Sequence, residues 1–169
     1  MENIDLAYLS RAESWALANL LIYFLMNGAQ IFETLVLVPK WTADPPRSFH
    51  YLTDKNGASL KAFWTVFHSV HEVIFIASIA FCWQLAPIRN WLLLLFALHF
   101  AVRVWTLVYF APNIIHFEKI GNGELAPPPN LAEKAANWKH LNYLRVGIFI
   151  AVSIGLAMLY LQLLGLHQS

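Results

Sequence analysis

The stretch Phe67–Phe75, FHSVHEVIF, places His68, His71 and Glu72 inside an otherwise apolar run from Ala62 to Trp83. Imidazole and carboxylate groups move protons near neutral pH, and both also bind transition metals. His99, Arg103, Thr106 and Asn113 follow one another at spacings of four, three and seven, so they share one helical face. Glu33 lies in NGAQIFE, and Trp138, Asn142 and Arg145 repeat the four-then-three spacing. Two chemistries fit this set. In one, His68 or Glu72 removes a proton, Arg103 and Arg145 stabilise the resulting oxyanion, and Asn113 and Asn142 orient the substrate ring. In the other, Glu33, His68, His71, Glu72 and His99 supply nitrogen and oxygen ligands suited to iron, copper or zinc, although a strict paired Glu-x-x-His signature is missing.

The elements that must position these groups are membrane spans. Of 169 residues, 59% are hydrophobic and 12% charged, and the mean hydropathy is +0.53, far too apolar for an ordinary soluble domain. A spanning helix needs roughly 20 mostly apolar residues. Four segments qualify, 15–38, 62–83, 91–115 and 143–164. The expectation is an all-α polytopic membrane protein, a single domain over 1–169 built as a four-transmembrane-helix bundle. The first segment carries Asn27, Gln30 and Glu33 and has no basic leader, so it is read as a retained helix and not a signal peptide. The single cysteine, Cys82, excludes an internal disulfide and any multi-cysteine metal site. A formal charge of +1 argues against a nucleic-acid partner.

The long connections, Pro39–Lys61 and His116–His140, are rich in Pro, Gly and Asn, whereas QLAPIRN makes a tight turn between the second and third spans. Alternation puts both long loops on one face and both termini on the other. Lys40, Arg47, Lys55, Lys61, Lys119, Lys134 and Lys139 belong to the long-loop face, against Arg11 and Arg89 opposite. The positive-inside rule then makes the long loops cytoplasmic and the termini external. Tryptophans 15, 41, 83, 91 and 138 fall at expected span ends, as an aromatic belt would. No internal repeat is evident at this level.

At about 1.5 Å per residue, Glu33 lies roughly 10 Å along its helix from Lys40, and His68 lies as far from Lys61. The polar stripes of all four helices therefore open towards the long loops, and the expectation is one shared polar network of Glu33, His68, Glu72, His99, Arg103 and Arg145. Within it, His68 and Glu72, one turn apart, are expected to form the seam, with His71 rotated to the side. Ionisable side chains cost on the order of 3 kcal/mol each to insert, so they face a cavity or a partner. The plain alternative is that Glu33 and Glu72 pair with Arg103 and Arg145 to fix helix order. Histidines 50, 116, 140 and 167 read as loop residues, with His140 kept as a candidate. Tyr51, Tyr109 and Tyr143 are ordinary interfacial tyrosines unless they donate to a substrate oxygen.

Three strings occur together in order: NGAQIFETLVLVPKW on the first span, TLVYFAPN ending the third, and W-x3-N-x2-R opening the fourth as Trp138, Asn142 and Arg145. With Phe63 and Trp64 they cover most of the chain, and together they resemble the anthrone oxygenase-like family of small four-helix membrane proteins. In fungal pathways, members of that family are associated with oxygenating an anthrone to an anthraquinone. The resemblance implies a flat, lipophilic phenol as substrate and dioxygen as co-substrate. It points to Glu33, Thr106, Pro112, Asn113, Trp138, Asn142 and Arg145, with Thr106, Asn113, Trp138 and Asn142 on the substrate. FHSVHE and LHFAVR are richer in histidine than the family pattern, a departure that favours a metal over cofactor-free use of dioxygen.

The function expected from the sequence is a membrane-embedded oxidoreductase or oxygenase of a lipophilic phenol, quinol or polyketide-like molecule, with His68, Glu72, Arg103 and Arg145 at the chemistry. The alternatives are a haem or quinone-binding electron carrier, with His68 and His99 as axial ligands, or a small ion- or proton-coupled transporter or accessory subunit. The expected partners are the lipid bilayer and a lipophilic small molecule, with homo-oligomerisation left open.

Overall fold

The computed structural model describes residues 5–53 and 60–166, with side chains from residue 62 in the second stretch. Lys55, Asn56 and His167 and the side chain of Lys61 lie outside the described residues. The protein is all-α, 86% helical without strands among the described residues. Helix α1 (Leu6–Phe32) runs through a π-helical segment (Glu33–Leu37) into α2 (Val38–Trp41), and a short 3-10 turn (Arg47–Tyr51) follows. Helix α3 is Leu60–Phe81, α4 is Ala86–Trp105, a second π-segment is Thr106–Phe110, α5 is Ala111–Gly121 and α6 is Leu131–Gly165.

Among the described residues, four helices are long and apolar enough to cross a membrane: Leu6–Trp41, Ala62–Phe81, Ala86–Gly121 and Leu131–Gly165. The chain is thus a multi-pass membrane protein with the expected four-helix bundle architecture. Three of these helices extend well beyond the apolar runs read from sequence, so much of the expected long loop 116–140 is helical. Helix propensity carries them on: AEKAANWKH is poor in apolar residues but made largely of strong helix formers. Burial is arranged for lipid. Val73, Leu107, Val108 and Leu161 are exposed, whereas Asn19, Asn27, Gln30, His68, His71, Ser78, His99 and Asn142 are buried. Polar groups in a bilayer must find partners within the protein, which produces this distribution.

Residue contacts divide the chain into two compact units. The first comprises Met1–Asn27, Trp64–Phe100 and Phe149–Ser169. In it, α1 and α3 run antiparallel. Ala12 O meets Cys82 Sγ at 3.8 Å, Trp15 stacks on Phe81 at 5.1 Å, and Tyr23 packs edge-on against His71 at 4.7 Å. Asn27 donates to Phe149 O at 3.1 Å and to Ser153 Oγ, tying α1 to α6. A Cβ added at Gly155 would lie 2.7 Å from Leu95 Cδ2, so α6 and α4 pack closely there and a larger residue would have to turn the Leu95 side chain aside. At the short turn, Arg89 donates to Trp83 O and lies over the Trp83 ring, closing the expected tight connection.

The second unit comprises Gly28–Phe63 and Ala101–Ile148. Its core is aromatic: Val38, Trp41, Phe49, Phe110, Phe117, Ile120, Leu131, Ala135 and Trp138 form one buried cluster. Trp41 meets Trp138 edge-on at 4.9 Å, and Phe49 packs on Phe117 at 5.2 Å. Both π-segments belong to this unit, and each begins at or next to the string T-L-V, at 34–36 and 106–108, and leads into a proline, Pro39 and Pro112. Proline has no N–H and its ring crowds the carbonyl four residues earlier, so the hydrogen-bond ladder widens just before it. This shared T-L-V and proline pattern is a local likeness between the first and third spans, too short to read as an internal repeat.

Candidate functional site

The first unit holds a chain of three titratable side chains from three helices. Tyr23 on α1 bonds through its hydroxyl to His99 Nδ1 at 3.0 Å, and His99 Nε2 on α4 meets Glu72 Oε1 on α3 at 3.0 Å. Tyr23 and His99 are fully buried, while the Glu72 side chain keeps 26% of its surface exposed. With Glu72 ionised, one proton arrangement satisfies both bonds: Tyr23 donates to Nδ1, and Nε2–H donates to the carboxylate. With Glu72 protonated the order reverses, Nδ1–H donating to the tyrosine oxygen. The arrangement can therefore shift a proton from one end to the other by exchanging the imidazole tautomer.

Apolar and aromatic walls hold this chain in place. His71 packs against both Tyr23 and His99, at 4.7 and 4.8 Å between ring centroids, and Phe75, Phe96 and Phe149 close the remaining sides of His99. The seam differs from the expected one. The buried stripe of α3 is His68, His71, Phe75 and Ser78, continued by Cys82 just past its end, so His71 sits in the seam and Glu72 on its flank. Spacings of three and four alternate along this stripe, and Glu72 is one residue, about 100°, beyond His71. His68, expected as partner of Glu72 in the seam, is buried and stacks on Trp64 at 5.3 Å, whereas the direct bond to Glu72 comes from His99.

The second unit gathers Glu33, Thr34, Arg103, Asn142 and Arg145. Arg145 donates through Nη2 to Asn142 Oδ1 at 2.6 Å, and Asn142 Nδ2 donates to Thr34 Oγ1 at 2.9 Å. The guanidinium lies over the Phe110 ring at 4.4 Å and 6.0 Å from the Trp138 ring centroid, a cation–π arrangement. Glu33 and Arg103 both act electrostatically on Arg145. Of the residues expected to contact substrate, Thr106 donates to Val102 O, Asn113 to Tyr109 O and Trp138 to Phe110 O, at 2.9, 2.7 and 3.3 Å. Their donors, and one of the Asn142 amide hydrogens, are thus committed to protein acceptors.

The expected network residues consequently fall into two groups, His68, Glu72 and His99 in the first unit and Glu33, Arg103 and Arg145 in the second. Among the described residues, no three His, Cys, Asp or Glu side chains are gathered into a set that could hold a metal ion, so Glu33, His68, His71, Glu72 and His99 do not form a ligand set there. His140 is exposed, and His50 bonds locally to Arg47 O at 2.8 Å. Tyr23 and Thr34 are the residues that the sequence reading missed. Their signal was present: Asn19, Tyr23, Asn27, Gln30 and Thr34 follow a four, four, three, four spacing along α1 and its extension.

Fold and site together define an all-α multi-pass membrane protein with a buried carboxylate–imidazole–phenol chain. Comparison with protein-family models, curated proteins and solved structures finds no match for this chain.

Proposed function

We propose that the protein is an intramembrane oxidoreductase acting on a lipophilic phenol or quinol. The observation that carries this reading is the Glu72–His99–Tyr23 chain, a base held by an imidazole in an apolar setting. Glu72 is its partly exposed member and is the group that takes the substrate's proton, the hydroxyl proton of a phenol or quinol or a methylene proton of an anthrone, while His99 hydrogen-bonds the carboxylate. The electrons of the phenolate so formed pass to dioxygen, the co-substrate that the resemblance to anthrone oxygenase-like proteins implies. For an anthrone, the methylene carbon becomes a carbonyl, one oxygen atom enters the product and the other leaves as water with the two hydrogens removed. The donor sets support proton transfer better than metal catalysis, since no three potential ligands converge among the described residues.

The test is oxygen consumption by purified protein in lipid nanodiscs with an anthrone or a hydroquinone. Glu72→Gln should lower kcat by about 100-fold or more, as loss of a general base does. Full turnover by Glu72→Gln would overturn the reading. The positive face formed by Lys40, Arg47, Lys119, Lys134 and Lys139 supports a cytoplasmic position for the longer connections. A cysteine placed at Gly123 should then resist an impermeant thiol reagent added outside, and one at Gln84 should react; the opposite pattern reverses the orientation.

A further inference from the structure

We infer that Asn19 and Ser78 bind water in the interior of the first unit, and that this water extends the Tyr23–His99–Glu72 chain into a proton path. Both residues are fully buried. Asn19 Nδ2, Asn19 Oδ1 and Ser78 Oγ have no hydrogen-bond partner among the described residues. Buried polar atoms are nearly always satisfied by protein or by ordered water, and a buried water needs two to four polar partners.

The register of α1 against α3 brings the two residues to one level. Trp15 lies against Phe81 and Ala12 against Cys82 on one side, and Tyr23 lies against His71 and Phe75 on the other. Between those contacts, antiparallel helices set Asn19 level with Ser78. Together they offer an amide donor, an amide acceptor and a hydroxyl that does both, enough for a water with partners on two helices. Ala16, one turn before Asn19, and Ile79, next to Ser78, are buried and apolar, so their side chains offer the polar atoms no acceptor.

Tyr23 connects this layer to the relay. It follows Asn19 by one turn on the same face of α1, and long side chains on a helix lean back towards its N-terminus, here towards Asn19. The titratable groups facing Tyr23 are His71 and Glu72 from α3 and His99 from α4, while α6 contributes the apolar Phe149. When Glu72 carries a proton it has taken, Nδ1–H donates to the Tyr23 oxygen and the Tyr23 hydroxyl is free to donate to a water. Glu72 gives its proton to Nε2, Nδ1 gives its proton to the Tyr23 oxygen, and Tyr23 gives its own to the water, with all atoms conserved. Glu72 ends as a carboxylate, able to act as a base again, and the excess proton leaves with the water of this layer. The same steps run backwards when the pH falls.

This inference rests on Glu72 as a proton-exchanging group, but its test uses no substrate, so its failure is separable from a failure of turnover. The protein in nanodiscs is subjected to a rapid pH jump and followed by infrared difference spectroscopy, the Glu72 carboxyl band being assigned by its loss in Glu72→Gln. Wild type should show an O–H stretching band that shifts in water labelled with oxygen-18. Ser78→Ala, nearly isosteric, and Asn19→Leu should each lose that band and slow the Glu72 relaxation at least tenfold, and Tyr23→Phe should slow it equally. Should Asn19→Leu fail to fold, Ser78→Ala decides. Absence of the isotope-sensitive band in wild type, or an unchanged relaxation rate in folded Ser78→Ala, would overturn the proposal.

Discussion

The two units differ in the groups that carry their polar bonds. In the first, titratable side chains of α1, α3 and α4 bond to one another, as Tyr23, His99 and Glu72 do. In the second, Arg145 bonds to the amide of Asn142 and that amide to the Thr34 hydroxyl, the donors of Thr106, Asn113 and Trp138 go to main-chain carbonyls near a widened helical turn, and a cluster of large rings fills the interior. A bond between two titratable side chains can invert when a proton moves, whereas a bond from a fixed donor to a carbonyl cannot. Under the proposed function, proton chemistry falls to the first unit, whereas the second is the fixed, ring-filled side of the contrast and holds Arg145 against aromatic faces.

The largest expected effect breaks the rigid side of that contrast. Trp138 is 3% exposed, touches Trp41 and Phe110 and donates to Phe110 O. Trp138→Ala should destabilise the protein by about 3–5 kcal/mol, the range for truncating a large buried aromatic. Thermal unfolding in detergent checks it, and a change below about 1 kcal/mol would show that the cluster contributes little to stability. Next in size is the proton centre. His99→Gln keeps a donor and an acceptor between Glu72 and Tyr23 but cannot exchange tautomers in the same way. It should lower kcat by about 100-fold, equivalent to about 2.7 kcal/mol in the barrier, with little change in melting temperature. If kcat stays and stability falls instead, the first unit too is a structural polar core.

A smaller effect sharpens the contrast within the first unit. Tyr23→Phe removes the hydroxyl and leaves Nδ1 of a fully buried imidazole without that partner. The cost should be about 1–3 kcal/mol of stability, the usual penalty for orphaning a buried polar group. Chemical unfolding measures it. A cost near zero would mean that the Tyr23–His99 bond has a ready substitute.

How much of this was legible follows the same division. The four spans were readable because lipid demands long apolar runs, and Glu33, His68, Glu72, His99, Arg103 and Arg145 stood out because charge is rare in such runs. The helix ends were not. Arg11 and Glu13 lower the hydropathy before Trp15, and Glu133, Lys134 and Lys139 do so before Tyr143, although helix formation is indifferent to those charges. Tyr23 escaped notice because one hydroxyl hardly alters the apolar character of Leu20 to Leu25. The choice between His68, His71 and His99 as partner of Glu72 depends on helix rotation, and a one-residue change in the seam turns a helix by about 100°. The aromatic cluster was seen only as belt tryptophans, since spacing within one helix carries no record of which helix faces it.

The smallest expected effect concerns the π-segments of the second unit. Pro112→Ala restores an N–H and removes the clash with the carbonyl of Val108, changes that favour the helix by up to about 3 kcal/mol on intrinsic propensity. Against this stands the packing of Phe110, which in its present register lies under Arg145 at 4.4 Å, meets Trp138 edge-on at 5.4 Å and accepts the Trp138 indole hydrogen. Narrowing the turn to α-helical register shifts residues 106–110 by a fraction of a turn and displaces the Phe110 ring and carbonyl together. The two terms oppose each other, and the net change in stability should stay within about 1 kcal/mol. The displacement itself is visible in two other ways. Tryptophan emission should shift to longer wavelength as the Trp138 indole loses its buried acceptor. Hydrogen exchange at residues 106–110 should slow as regular i to i−4 bonds form. Unaltered emission together with unaltered exchange would mean that the widened turn is held by the surrounding packing and not by Pro112, and the proline would then be a passenger in the geometry that fixes Arg145.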